Sequence, residues 1–409
     1  MSQAYVVVGG GLAAGKAVET LRDEGLTGPV VLVSAEEELP YERPPLSKGY
    51  LLGKEPREGA YVHDRAWYDE RSVELRLGTR VTAVDRAAGE VVLDGAERLG
   101  YERLLLATGS AVRRLDVPGA DLDGVLYLRE LPDADRIRAV LEGRGNVAVV
   151  GGGWIGLEVA AAARTYGCEV TLLEAAPLPL LGVLGEEVGR VFADLHRDHG
   201  VELLLSTGVA EIVGDRGRVT GLVAADGRRV AADAVVVGIG VRPLTDLAET
   251  AGLEVDDGVL VDASLRTSDP VVFAAGDVAN AYNPLLGRRV RVEHWANALH
   301  GGPAAARAML GQDVVYDRLP YFFSDQYDLG MEYVGQPARG EVDRVVLRGD
   351  VAGRAFQAFW LSGGRLVAGM HANLWDEGIE PIKALVAERV EVDPDRLADT
   401  AVPLADVRA

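Results

Sequence analysis

The sequence predicts an α/β fold of two or three domains, built on two copies of one βαβ unit and finished by an α+β segment. Three observations carry this. A β-branched run enters a glycine-rich turn at two places, the same order of elements follows each turn, and the composition changes beyond about Tyr316. At 409 residues and 48% hydrophobic side chains, the chain is long enough to bury more than one core.

The first unit lies at the amino end. Tyr5 to Val8 reads as a short strand, Gly9-x-Gly11-x-x-Ala14 as the turn, and about ten residues as a helix. A second apolar strand, Val30 to Val33, follows and is trailed by Glu36, Glu37 and Glu38. Each small residue has a job in a dinucleotide site. Gly9 makes the tight turn, Gly11 lets backbone approach a pyrophosphate, and Ala14 lets the helix lie on the strand. Leu12 and Ala13 fall on the same turn. The helix N-terminus offers unpaired N–H groups to phosphate, and an acid at the end of the second strand accepts from a ribose hydroxyl.

The second unit repeats every part. Val147 to Val150 is the strand, Gly151-x-Gly153-x-x-Gly156 the turn, "LEVAAAARTYG" a helix closing at Gly167, and "CEVTLLEAAP" the next strand, ending in Glu174. Ile155 belongs to the same turn, and Gly240 closes the later strand "AVVVGIG". Glu174 stands where a ribose 2′-hydroxyl is held, and the following "AAPLPLLGVLG" has no Arg or Lys for a 2′-phosphate. The expected nucleotide is therefore NADH rather than NADPH.

After each βαβ unit comes an alternating, meander-like stretch and then an apolar strand ending in glycine, "LLLATG" in one case and "AVVVGIG" in the other. This is an internal duplication about 140 residues apart. "TSDPVVFAAGDVAN" returns the chain to a strand whose tip carries Gly276 and Asp277, and the stretch from Tyr316 onward is aromatic-rich and strand-like.

Composition excludes several classes. The net charge of −21 argues against a general nucleic-acid binder. No long apolar run and no leader pattern precede the first strand, which predicts a soluble, cytoplasmic protein. The single cysteine, Cys168, cannot form a Cys-x-x-Cys redox pair or a cysteine-rich metal site. His294, His300 and His371 have no metal-ligand spacing and read as solvated or core residues.

The stretches "PYERPPLSKGYL", "LLLATG", "AAGD", "GGGWIGLE" and "FFSDQYD" resemble the FAD-dependent ferredoxin reductases of bacterial oxygenase systems, in unbroken order along essentially the whole chain. The resemblance implies a glutathione-reductase-like, three-layer fold. It divides into an FAD domain (1–112 and 241–315), an inserted NADH domain (113–240) and a C-terminal domain (316–409) covering the flavin. It also implies a reaction: hydride from NADH to FAD, then single electrons to a [2Fe–2S] ferredoxin feeding a cytochrome P450 or a ring-hydroxylating dioxygenase. Two dinucleotide sites in one chain suit that chemistry, since hydride transfer needs the reacting atoms about 3 to 3.5 Å apart. Without a Cys-x-x-Cys near the flavin, electrons must leave it directly.

By motif match, the resemblance places Arg43 near the FAD pyrophosphate and Lys48 near the isoalloxazine, with Pro44 and Pro45 stiffening the segment. Glu158, two residues past the second turn, is set beside the nicotinamide and expected to pair with Lys48. Asp277 is expected to bond the ribityl chain, Trp295 to lie against the flavin, and Glu36, Val81 and Arg129 to contact FAD. The ribose acid that some relatives carry aligns with Ala35, so the adjacent Glu36 takes that role. Phe323 replaces a Trp of the family's "FWSDQY" element. For the ferredoxin, the expected positive patch is Arg288, Arg289 and Arg291, just before Trp295. A rubredoxin reductase, an NADH oxidase and an NADH-sensing protein of the apoptosis-inducing-factor type are the alternatives. The oxidase would be expected to show a redox Cys in the early flavin segment, and the sensor would be favoured by a targeting sequence or a long C-terminal insertion.

Overall fold

A computed structural model describes residues 3–409. The chain forms two compact units. One comprises residues 3–44, 56–111 and 242–320, and the other 45–55, 112–241 and 321–409.

In the first unit, four parallel strands lie in the order Val73–Arg76, Val30–Val33, Ala4–Val8 and Arg98–Leu106, and Val272–Ala274 pairs in parallel with the last of these. The central strands Ala4–Val8 and Val30–Val33 are Val-rich and buried on both faces, as a helix-covered parallel sheet requires. The expected meander, Val81–Asp85 with Glu90–Leu93, adds to the sheet through the early half of the long Arg98–Leu106 strand. Val8 is in register with both Val33 and Leu106, so three strand ends finish level beneath the Gly9 turn. The helix Leu12–Asp23 follows that turn. Against it packs the helix Trp295–Met309, where Gly302 leaves no room for a side chain: a Cβ there would lie 2.2 Å from the Ala13 carbonyl oxygen.

In the second unit, a five-stranded parallel sheet has the order Val201–Leu204, Glu169–Leu173, Asn146–Val150, Ala234–Val237 and Val125–Tyr127. A separate antiparallel sheet holds Val209–Asp215, Arg218–Ala224 and Arg229–Ala231. The two meanders therefore differ: the first continues into its parallel sheet, and the second stands apart from it. The carboxyl-terminal segment is an antiparallel sheet ordered Tyr321–Gln326, Leu329–Gly335, Arg365–Ala372, Ala355–Ser362 and Arg344–Asp350, with the helix Glu380–Ala387 packed on it. Among the described residues, no helix is long and apolar enough to cross a membrane.

Candidate functional site

The two glycine turns are nearly superposable in their bonding. The Gly9 N–H donates to Val33 O and the Gly151 N–H to Leu173 O, each at 2.8 Å. Both glycines have positive φ, 139° and 106°, and a Cβ would meet a carbonyl oxygen of the neighbouring strand end, Ala107 at 2.1 Å and Gly238 at 2.4 Å. Only glycine fits at either place. The next glycines, Gly11 and Gly153, are the N-caps of their helices; neither supplies a side-chain cap, and nothing lies within 4 Å of an added Cβ. The first turns are thus left without a side-chain cap, and backbone can be approached closely at the glycines, the arrangement that receives phosphate. Ala14, fully buried, and Gly156, whose Cβ would lie 2.0 Å from Gly151 O, close the two helices onto their strands. The residues present fit a dinucleotide in both cradles.

In the first unit, Glu36 accepts from the Tyr41 hydroxyl at 2.5 Å and from Arg43 Nη2 at 3.1 Å. Arg43 and Glu36, assigned separately to pyrophosphate and ribose, therefore meet directly. Burial works against the Arg43 charge, but Tyr41, Glu36 and Asp277 outweigh it and raise its pKa. Asp277 sits in a 3₁₀ turn, Gly276–Val278, at the tip of the Val272–Ala274 strand. His294, N-cap of the helix Trp295–Met309, is held by burial at a pKa of about 4 against the pull of Asp277. The Trp295 indole N–H donates to Glu42 at 2.7 Å. Leu12 and Ala13 are buried on the first helical turn. The Val81 side chain is also buried, inside the hydrophobic core, so only its backbone remains to meet a nucleotide. Arg129 belongs to the second unit, where its backbone N–H donates to Asp133.

In the second unit, Glu174 is anchored at both oxygens, accepting from Gly152 N–H at 2.6 Å and Ala176 N–H at 2.7 Å. It is thereby fixed beside the glycine turn, at the end of the second strand, as a ribose-binding acid must be. Ile155 is exposed on the first helical turn, and Gly240, with φ 94°, lies beside the Arg113 side chain.

The expected Lys48–Glu158 pair is present at 2.7 Å, with Glu158 only 4% exposed. Two further donors, absent from the sequence reading, complete the carboxylate: Ser47 Oγ at 2.5 Å and Ser324 Oγ at 2.7 Å. Both lie inside quoted motifs, "PPLSK" and "FFSDQ", which was the available signal. The 3₁₀ turn Pro44–Ser47, with Lys48 N–H bonded back to Pro45 O, presents Ser47 and Lys48 together. Lys48 also lies 5.4 Å from the Phe323 ring centroid. The Glu158 helix begins at Trp154, so Glu158 is its fifth residue, beyond the reach of a helix-terminus effect that fades within one turn.

The arginine cluster is also changed. Arg291 is 12% exposed and paired with Asp257 at 3.2 Å and Glu293 at 2.5 Å, and Arg289 donates to the backbone carbonyls of Val261 and Asn280. Two acids neutralise the third member, so the segment brings less positive charge to the surface than three arginines would. Cys168 is buried, with burial raising its thiol pKa, and among the described residues no group of His, Cys, Asp and Glu could hold a metal ion.

A duplicated glycine cradle with a backbone-anchored acid after the second copy, and a buried Lys–Glu pair nearby in sequence, define a two-dinucleotide oxidoreductase framework. The pyridine nucleotide-disulphide oxidoreductase family model matches residues 3–302, and the reductase C-terminal model matches residues 321–408. The chain belongs to the pyridine nucleotide-disulphide oxidoreductase family. It is 45% identical to the ferredoxin–NAD(+) reductase component of the anthranilate 1,2-dioxygenase system of Burkholderia cepacia, over 98% of each chain. It is 38% identical to putidaredoxin reductase of Pseudomonas putida, over 99% of this chain and 96% of that one. Among solved structures, the covalent putidaredoxin reductase–putidaredoxin complex matches with a TM-score of 0.95 and 36% identity, over 99% of this chain and 98% of that one. The ferredoxin reductase for the CYP199A2 system of Rhodopseudomonas palustris matches with a TM-score of 0.94 and 35% identity, over the full length of both.

Proposed function

We propose that this chain is a cytoplasmic NADH-dependent ferredoxin reductase that takes hydride from NADH onto FAD and passes single electrons to a [2Fe–2S] ferredoxin. That ferredoxin feeds an oxygenase, either a cytochrome P450 or a ring-hydroxylating dioxygenase. The observation that carries the reading is the pair of glycine cradles with Glu174 locked onto the second. Relatives named for oxygenase-system ferredoxin reductases, similar along nearly their whole length, support the electron acceptor.

Bound FAD supplies the conversion of a two-electron donor into a one-electron donor. The chain's own residues do the rest. Gly9 and Gly11, with Leu12, Ala13 and Ala14, hold the FAD pyrophosphate on helix N–H groups, and Glu36, Arg43 and Asp277 hold its polar chain. Trp295, the Val81 backbone and Arg129 complete the FAD contacts. Gly151, Gly153, Ile155 and Gly156 hold the NADH pyrophosphate, Gly240 closes the pocket wall, and Glu174 binds the ribose 2′-hydroxyl while repelling a 2′-phosphate. Lys48 stands near the isoalloxazine, and Glu158, paired with it, stands beside the nicotinamide. On this reading residues 113–240 form the NADH domain, 1–112 with 241–315 the FAD domain and 316–409 the third domain. Arg288 and Arg289 are the residues through which an acidic ferredoxin is steered.

Anaerobic titration of the yellow protein with NADH and NADPH tests this. Stoichiometric bleaching of the flavin by NADH, with NADPH far less effective, is expected. A flavin that NADH leaves oxidised refutes the proposal.

A further inference from the structure

The strand Tyr321–Gln326 turns Phe322, Ser324 and Gln326 to one face, and all three are buried. Phe322 stacks edge-on against Trp154, a turn before Glu158 on the same helix. A serine and a glutamine, each 1% exposed, are expensive choices beside it, since buried polar groups cost free energy unless every one is bonded. They are bonded, and in one line. Ser324 Oγ donates to Glu158 at 2.7 Å, Gln326 Nε2 donates to Ser324 Oγ at 3.1 Å, and Gln326 Oε1 meets His196 Nε2 at 2.9 Å. His196 Nδ1 then meets the Tyr327 hydroxyl at 3.2 Å.

Donor and acceptor roles in this line are not free. Glu158, ion-paired with Lys48, is an anion and can only accept. Ser324 has one proton, and it goes to Glu158. The amide of Gln326 must therefore present its NH₂ to Ser324; turned over, its carbonyl would face an oxygen with no proton left to give. His196 must then carry its proton on Nε2 to satisfy Gln326 Oε1, leaving Nδ1 to accept from Tyr327. Burial raises the pKa of Tyr327, which keeps its proton available to donate. Every dipole in the line points at the carboxylate.

We propose that Ser324, Gln326, His196 and Tyr327 are positioning residues: a one-directional hydrogen-bond chain that holds Glu158 as an oriented anion against Lys48. The idea rests on the assignment of Glu158 to the nicotinamide site, and adds what keeps it in place. Among the described residues, Lys48 and Asp325 are charged groups that act on or with Glu158, and His199 acts on His196, with Arg164 reaching Tyr327. None of them can replace the Ser324 donor.

The test uses the full-length protein with ¹⁵N-labelled histidine, His196→Asn serving to assign the His196 signals. In the unaltered protein, without NADH, His196 is expected to show a single neutral Nε2–H tautomer. Ser324→Ala should release the Gln326 amide and give a mixture of tautomers. It should also lower kcat of NADH-driven flavin reduction roughly tenfold with KM for NADH little changed, because the carboxylate has lost one of the three donors that orient it. Ser324→Thr, which keeps the hydroxyl, should restore both. An Nδ1–H tautomer in the unaltered protein overturns the chain outright, and this measurement decides even if Ser324→Ala fails to fold. An unchanged kcat, or a loss that lies in KM alone, assigns Ser324 to structure alone and overturns the positioning role. If NADH reduces no flavin, the functional reading fails while the tautomer still reports on the chain.

Discussion

At the scale of single residues, charge placement decides most of the behaviour. His196 is fully buried on the helix Leu181–Asp198, where burial lowers its pKa from 6.5 to about 4, His199 pushes the same way and the Gln326 bond opposes. The unfolded chain takes up this proton first as pH falls. The stabilisation from a neutral His196 is therefore full above pH 6.5 and is lost as pH drops toward 4, amounting to about 2 kcal/mol between pH 7 and pH 5. Urea denaturation at those two pH values should show a steep loss for the unaltered protein and a flatter one for His196→Asn. Equal losses would place the acid sensitivity elsewhere. The sequence exposed Lys48 and Glu158 because motifs bracket them, but it could not expose His196: its partners lie 130 positions away, and nothing local marks the residue as a hydrogen-bond link.

At the scale of elements, glycines record where backbones must touch. The two βαβ units were legible because spacing, period and end-of-strand acids agree at both places, and the duplicated bonding at Gly9 and Gly151 follows from that shared spacing. The contact between the helices Leu12–Asp23 and Trp295–Met309 was not legible, because it joins segments nearly 300 residues apart and shows only as a Gly-Gly pair inside a helix. Its two glycines should behave differently. Gly302→Ala puts a methyl 2.2 Å from the Ala13 carbonyl oxygen and should destabilise by about 2–3 kcal/mol while loosening FAD, for which we propose the Ala13 turn as a contact. Gly301→Ala meets its nearest neighbour at 3.7 Å and should be neutral or gain about 0.5–1 kcal/mol from helix propensity. Thermal melting of the two variants, with flavin content assayed alongside, separates them; equal shifts would contradict the close helix contact.

At the scale of the whole molecule, each duplicated unit supplies its own dinucleotide cradle, and a single buried cysteine leaves no dithiol to stand between flavin and acceptor. Family membership and the α/β architecture were legible end to end, since motifs run from the first strand to "FFSDQYD" in one order. Less legible was the surface. Three arginines in four residues looked like a positive patch, but sequence spacing could not reveal that Asp257 reaches Arg291 from a separate loop. The central claim is met most directly by steady-state reduction of a purified [2Fe–2S] ferredoxin, with NADH or NADPH as the only donor. The account predicts catalytic ferredoxin reduction with NADH and at least about a hundredfold lower kcat/KM with NADPH, the size of discrimination one unfavourable buried charge contact supplies. Flavin that is reduced by NADH but transfers no electrons to any ferredoxin, or equal turnover with the two nucleotides, would contradict it.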